Sequence, residues 1–229
     1  MEAESEVPPL VVDIDGTLTD RHRAIDPRIF PVLREWPDRV VIATGKAMPF
    51  PIALCEFLGI ERAVVAENGG VVFVEATDTL RLEGDKEAAI RVADEYREAG
   101  HDLGFGRIDL ANRWRETEVV VNIDQPLAPL ERIATERGLR VLDTGFAYHV
   151  VDPSVDKGRG LETICSELDR TPAEFIAVGD SENDAELFDV AGESVAVANA
   201  DETALSRADR VTDASYADGF LEAVAPYRG

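Results

Sequence analysis

Short, unbroken apolar runs recur along this chain, most of them closing on polar residues and each followed by a stretch of helical period. PLVVDID (9–15), RVVIATG (39–45), RAVVAENGG (62–70), EFIAVGD (174–180) and SVAVAN (194–199) are too short for helices and lack polar alternation. A strand reads this way when both its faces are covered, as in a parallel sheet flanked by helices. Pro27 to Trp36, Ala47 to Leu58, Gly158 to Leu168, Asp184 to Val190, Ala200 to Ala208 and Ala217 to Pro226 read as helices, with RVTD (210–213) as a last strand. Strand and helix alternating in this order predict an α/β fold with a doubly wound, Rossmann-like parallel-sheet core.

The middle of the chain breaks the pattern. Asp85 to Ala99 is amphipathic, with Ala89, Val92, Ala93 and Tyr96 on one side. An irregular stretch follows, then a strand TEVVVNI (117–123), a helix around Leu127 to Arg137, and two strands, LRVLDTG and AYHVVDP. These strands alternate more than those of the flanks, as in a sheet covered on one face only. The expected organisation is a core of residues 1–81 and 153–229 with a small α+β domain, residues 82–152, inserted into it.

Composition narrows the partners. Acidic residues number 46 against 23 basic ones, a formal charge of −23. A nucleic-acid binder would show a basic stripe, and a protein held by anionic lipid would show basic clusters, so neither partner is expected. A hydrophobic content of 45% supplies a core, which excludes disorder. Lys46, Lys86 and Lys157 are the only lysines; the other basic residues are arginines. An acidic excess of this size points to adaptation to concentrated salt, ahead of ordinary solubility. MEAESEVPP carries neither a basic nor an apolar leader segment and no run is long enough to span a bilayer, so a cytoplasmic location is expected. Cys55 and Cys165, in helical patterns without CxxC spacing, read as buried small hydrophobes.

Three of the apolar strands end in groups with chemistry: Asp13 and Asp15, Thr44, and Asp180 with Asp184 one helical turn on. Ligands of open α/β sheets bind beyond the carboxyl ends of the strands, so these groups converge in such a fold, and Lys157 joins them from the start of a helix. A single aspartate after a strand is usually a turn former or helix cap. In Asp13-Ile14-Asp15-Gly16-Thr17, however, the period of two sets both acids on one side before a glycine turn, and GDSENDAELF repeats strand, glycine and spaced acids. Four carboxylates together call for a cation, and hard oxygen ligands suit Mg²⁺.

DIDGTLTD, ATGK, the DKG at 156–158 and GDSENDAELF, in that order, resemble the four motifs of the haloacid dehalogenase-like phosphatases. The insertion between Thr44 and Lys157 lies where the C2-capped branch of that superfamily carries its cap, and ENGG at 67–70 resembles a turn of the same branch. Length and compact cap are most similar to archaeal phosphoglycolate phosphatases. The resemblance implies that Asp13 is a nucleophile forming an aspartyl-phosphate and that Asp15 is the acid and base. It implies a Mg²⁺ held by the Asp13 carboxylate, the Asp15 carbonyl and Asp180, with Asp184 completing the shell. Thr44 and the neighbouring Gly45 amide would hold phosphoryl oxygens, Lys157 would balance their charge, and Asn183 would orient its loop or contact phosphate. The implied substrate is a small anionic phosphate ester, 2-phosphoglycolate first.

Several readings stay open in the sequence. Lys46 is a second phosphate contact or a solvated lysine. Arg107, Arg113, Arg115 and His149 are candidates for a substrate carboxylate, or surface residues. A sugar-phosphate phosphatase or phosphomutase would use the same scaffold. A receiver-like phospho-acceptor also uses a strand-end Asp, a metal and a Lys, but has no use for an acid two residues beyond the acceptor. A homodimer is compatible with all of these.

Overall fold

The computed structural model describes residues 7–228, so residues 1–6, on which most of the leader reading fell, lie outside the described residues. Eleven strands form an eight-stranded and a three-stranded sheet among the described residues. The larger contains β1 (Leu10–Val12), β2 (Val40–Ala43), β3 (Ala63–Ala66), β4 (Val71–Val74), β5 (Thr79–Leu82), β9 (Ile176–Gly179), β10 (Glu193–Ala196) and β11 (Arg210–Val211), in the order β11-β10-β9-β1-β2-β3-β4-β5. From β11 to β3 all neighbours are parallel.

Helices cover both faces, as the continuous apolar runs require. Leu10, Val12 and Ile42 pack on one side against α1 (Ile29–Arg34), α2 (Pro49–Leu58) and α9 (Tyr216–Val224), through residues such as Leu33, Leu58 and Phe220. Val11, Val41 and Ala177 face the other side, where α6 (Lys157–Leu168), α7 (Ala185–Val190) and α8 (Glu202–Arg207) contribute Leu161, Ile164, Leu187, Phe188 and Ala204. Cys55 and Cys165 are free and buried in α2 and α6.

The antiparallel extension by β4 and β5 departs from the sequence reading. The sequence alone assigns no element to VVFV (71–74) or to the residues up to Asp85, and β5 is an edge strand whose side chains are partly or fully exposed, which leaves little apolar signal.

The three-stranded antiparallel sheet has the order β6-β8-β7, from β6 (Val119–Asn122), β7 (Arg140–Asp143) and β8 (Ala147–Val151). Its alternation sorts the two faces. Val119, Val121, Tyr148 and Val150 bury against α3 (Lys86–Glu98) and α5 (Leu127–Glu136), contacting side chains such as Val92, Tyr96, Leu130 and Ile133. Val120, Ala147 and His149 point the other way and line a cavity shared with the larger sheet. The segment read as irregular holds one short helix, α4 (Leu110–Arg113), capped by Asp109, whose carboxylate accepts from the Asn112 amide at 3.0 Å. No helix among the described residues is long and apolar enough to cross a membrane.

Candidate active site

β1 is central, with β9 on one side and β2 on the other, and the chain reverses its winding there. The carboxyl ends of these strands therefore diverge into the crevice where α/β sheets bind ligands. Asp13 continues β1, its amide donating to the Val178 carbonyl at 3.0 Å. Gly16 then takes φ +83°, and a Cβ on it would lie 2.0 Å from Asp180 Oδ2. Only glycine permits both this conformation and that close approach. Thr17 Oγ1 donates to Asp180 Oδ1 at 3.0 Å and fixes the carboxylate from the same turn.

One carboxylate oxygen from each of Asp13, Asp180 and Asp184 lies within 4.8 Å of the others. Lys157 stands among them with no exposure to solvent, and its Nζ donates to Asp13 Oδ1 and Asp184 Oδ1, both at 2.7 Å. Its position is set locally: Asp156 caps α6, accepting from the Arg159 amide at 2.8 Å, so Lys157 is the first helical residue. Burial alone would lower the lysine pKa, but Asp13 and Asp184 raise it above the ordinary value. Asp13 is pushed up to about 7, chiefly by burial and then by Asp184 and Asp15, against the opposing pull of Lys157. Asp180 rises well above the carboxylate range, through burial and the charges of Asp13 and Asp184. Three buried carboxylates facing one ammonium leave negative charge unbalanced, and a divalent cation with oxygen preference fits that donor set.

A cavity of about 200 Å³ opens over Asp13 and Asp15. Small-molecule sites usually run from about 300 to 1,000 Å³, so this one suits a ligand of a few heavy atoms. Asp15 carries two cations, Lys46 Nζ at 2.9 Å and Arg23 Nε at 3.4 Å. The guanidinium of Arg23 lies 4.0 Å from the centre of the Phe146 ring, joining the loop after β1 to the hairpin between β7 and β8.

The wall opposite Asp13 is a buried polar network. Arg115 Nε donates to the Ala111 carbonyl at 3.0 Å, and Nη1 donates to the Gly45 carbonyl at 2.9 Å and to Glu118. His149 Nδ1 lies 2.9 Å from Glu118 Oε1 and 3.0 Å from Asn68 Nδ2. Asn68 Nδ2 also donates to Glu118, while Asn68 Oδ1 accepts from Asn183 Nδ2 at 2.9 Å. Burial, reinforced by Arg115, holds the His149 pKa well below 6.5, so the imidazole is neutral. Arg115 is lowered to about 10 by burial, against the opposing charges of Glu67 and Asp109.

A family model for haloacid dehalogenase-like hydrolases matches residues 10–109 and 131–224. The chain belongs to that family. Curated relatives include a phosphoglycolate phosphatase of Haloarcula marismortui, 79% identical over 98% of this chain and 99% of the relative. Another, from Archaeoglobus fulgidus, is 38% identical over 94% of each chain. A crystal structure from Thermoplasma acidophilum superposes with a TM-score of 0.84 at 26% identity, covering 96% of this chain and 98% of its own. A haloacid dehalogenase-like hydrolase from Bacteroides thetaiotaomicron shares the fold, with a TM-score of 0.78 at 20% identity over 96% and 99% of the two chains.

Within this hydrolase core the residues singled out in the sequence do not all stand alike. Asp13, Asp180, Asp184 and Lys157 meet directly. Asp15, Gly45 and Asn183 line the cavity. The Asp15 carboxylate is outside the acidic triad and turned to its two cations; the sequence reading gave its carbonyl, not its carboxylate, to the metal. Thr44 is fully buried, and its hydroxyl accepts from the Lys46 amide at 3.2 Å. Lys46 is ion-paired rather than simply solvated. Arg107 and Arg113 are exposed and do not line the cavity, whereas Arg115 and His149 do.

The residues around Glu67 were the ones missed as functional. Glu67 and Asn68 have φ of +50° and +58° and are buried, an unusual state for side chains of this kind. The Glu67 carboxylate accepts from the amides of Glu116 and Thr117 and from the Thr117 hydroxyl. It thereby fastens the chain entering β6 to the carboxyl end of β3. Polar residues directly after an apolar strand were the available signal, the same one that exposed Asp13 and Asp180.

Proposed function

We propose that this chain is a Mg²⁺-dependent phosphatase of small phosphomonoesters, with 2-phosphoglycolate as its substrate. The observation that carries the reading is the buried set of Asp13, Asp180, Asp184 and Lys157 under a cavity sized for a few heavy atoms. The names of the archaeal relatives support the choice of ester.

Residues 1–81 and 153–229 are proposed as the catalytic core and 82–152 as a cap, the boundary falling at the end of β5. Asp13, Asp180 and Asp184 would hold Mg²⁺ with the Asp15 carbonyl, and the ion would neutralise charge between nucleophile and phosphoryl group. Asp13 attacks phosphorus in line, forming an aspartyl-phosphate as the bond to the leaving oxygen breaks. Asp15 delivers the proton to that oxygen, then takes one from the water that cleaves the intermediate and frees Asp13. Lys157 orients Asp13 and balances phosphoryl charge, while Thr44 and the Gly45 amide hold the non-bridging oxygens. Asn183, tied to Asn68, keeps the loop after β9 in place. The cap covers the leaving group and excludes water. The working location is the cytoplasm.

The test is hydrolysis of a panel of phosphate esters with Mg²⁺, by the natural chain and by Asp13→Asn. Phosphoglycolate is expected to give the highest kcat/KM, and the variant to be inactive. Faster turnover of a hexose phosphate would replace this substrate with a sugar phosphate. Retained activity in Asp13→Asn would refute covalent catalysis through that residue, and a phosphorylated but non-hydrolysing natural chain would favour a phospho-acceptor.

A further inference from the structure

Beyond the acidic triad, the cavity lining carries cations that the phosphoryl chemistry leaves unused. Its lining cations are Arg23, Lys46 and Arg115. Asp15 and Glu118 are the carboxylates paired with them. Glu67, the next acid, is spent on the backbone and hydroxyl of residues 116–117. Among the residues that line the cavity, these three cations face two carboxylates, Asp13 and Asp15, and a neutral His149. In a chain of −23 such a gathering of cations around one cavity is notable.

Among the three cations, Arg115 is the one built to read a ligand. Its side chain is 9% exposed, against 25% for Lys46 and 47% for Arg23. Nε and Nη1 are committed to Ala111, Gly45 and Glu118, which locks the guanidinium plane. Nη2 makes no hydrogen bond among the described residues, although Arg115 lines the cavity. Nη2 is not among the buried unpartnered atoms, so this spare donor is open to a ligand on a guanidinium that is otherwise fixed. Its position is also informative: it holds the carbonyl of Gly45, between Thr44 and Lys46, so the donor lies beside the phosphoryl-holding loop rather than far up the cap. Phe105, Val120, Phe146 and Ala147 wall the space without offering another charge.

We propose that Arg115, assisted by Lys46, binds a carboxylate on the leaving group a short carbon spacer from the phosphate, and so selects phosphorylated 2-hydroxy acids over neutral esters. This deepens the phosphatase reading and rests on it. Arg115 is a specificity residue whose spare Nη2 offers a charge-assisted hydrogen bond to a carboxylate, and Lys46 adds a point charge.

The experiment compares 2-phosphoglycolate with 2-hydroxyethyl phosphate, which replaces the carboxylate by a neutral hydroxymethyl group of similar size. Steady-state kinetics with saturating Mg²⁺ are run on the natural chain, Arg115→Gln, Arg115→Lys and Lys46→Met. The natural chain should prefer phosphoglycolate by at least about 30-fold in kcat/KM, which is what about 2 kcal/mol of charge-assisted hydrogen bonding supplies. Arg115→Gln should erase most of that preference through KM for phosphoglycolate, and Arg115→Lys should restore part of it. Lys46→Met should reduce the preference less. Equal use of both esters by the natural chain overturns the carboxylate subsite while leaving the phosphatase standing, even if Arg115→Gln does not fold. Loss of both activities in equal proportion in a folded Arg115→Gln also overturns it, and makes Arg115 a support for Gly45. Failure of the natural chain to hydrolyse either ester overturns the phosphatase reading and the subsite with it.

Discussion

Replacing Lys157 by methionine tests the electrostatics of the site without altering its volume greatly. The ammonium is fully buried and donates to two carboxylates at 2.7 Å, so the change leaves Asp13, Asp180 and Asp184 without a counter-charge. Removing one partner of a buried pair costs about 3–5 kcal/mol. For a chain of this size about 1 kcal/mol moves Tm by about 2–4 °C, so a fall of about 6–20 °C is expected at pH 8 without divalent ions. Acid should soften the penalty. Asp13 is raised to about 7 even with Lys157 pulling it down, so without the ammonium it rises further, and acid protonates it and removes the unpaired charge. The melting difference at about pH 6 should therefore be smaller than at pH 8, the sign following from a carboxylate that is neutral in the fold below its raised pKa. Mg²⁺ should stabilise both proteins, by about 2.7 kcal/mol at 100 times Kd, and should recover most of the loss in the variant, where no ammonium competes for the carboxylates. Hydrolysis should still be lost. Differential scanning calorimetry of both proteins at the two pH values, with and without Mg²⁺, reads all of this. Equal melting at pH 8 without metal, or a larger deficit at pH 6, would refute a buried lysine balancing ionised aspartates.

Three other perturbations test separate parts of the molecule. His149 is neutral in the fold, while the unfolded chain protonates below about pH 6.5, so its contribution is intact above that pH and lost as pH falls. The unfolding free energy of the natural chain minus that of His149→Gln should decline by up to about 1.4 kcal/mol per pH unit below 6.5; a flat difference would mean an imidazole that titrates normally. Gly16→Ala places a Cβ 2.0 Å from Asp180 Oδ2 at φ +83° and should cut kcat by about 100-fold at saturating Mg²⁺. Unchanged turnover would show that this turn does not set Asp180. Finally, Tm should rise steeply from dilute buffer to molar KCl, where the Debye length falls to about 3 Å, and full stability in dilute buffer would dismiss salt adaptation.

The parallel core was legible because its strands are buried on both faces: Val11 and Val12 in β1 point to opposite sides and both have no solvent exposure. The acids after those strands were legible for the same reason, since nothing in a local apolar run favours Asp13 or Asp180. β5 was not, because an edge strand with half of Leu80 and Leu82 exposed leaves no pattern to read. The network of Arg115, Glu118, His149 and Asn68 was illegible in a different way. Each is a single polar residue in a strand, a turn or an irregular stretch that accounts for it locally, and their partnership spans up to 81 positions. In an arginine-dominated basic set, nothing local separates buried Arg115 from exposed Arg107 and Arg113. Only the return of β6 and β8 over the carboxyl ends of β2 and β3 makes the difference.

The same geometry explains how so acidic a chain accommodates an anion. A net charge of −23 repels a phosphate ester at long range, yet the fields that bind it are short. Salt at about molar strength confines the repulsion of exposed carboxylates to about 3 Å, whereas buried pairs are screened far less. Lys157 and Arg115 are both in the protected class, and each is placed by backbone that does not depend on salt: the first turn of α6 for one, the Gly45 and Ala111 carbonyls for the other. Salt should therefore act on affinity mainly by removing the distant repulsion, so KM for phosphoglycolate falls as salt rises toward molar concentrations. A basic surface patch would behave in the opposite sense, since screening weakens attraction. The direction of KM with salt thus separates an anion held by buried cations under an acidic surface from one captured electrostatically at the surface.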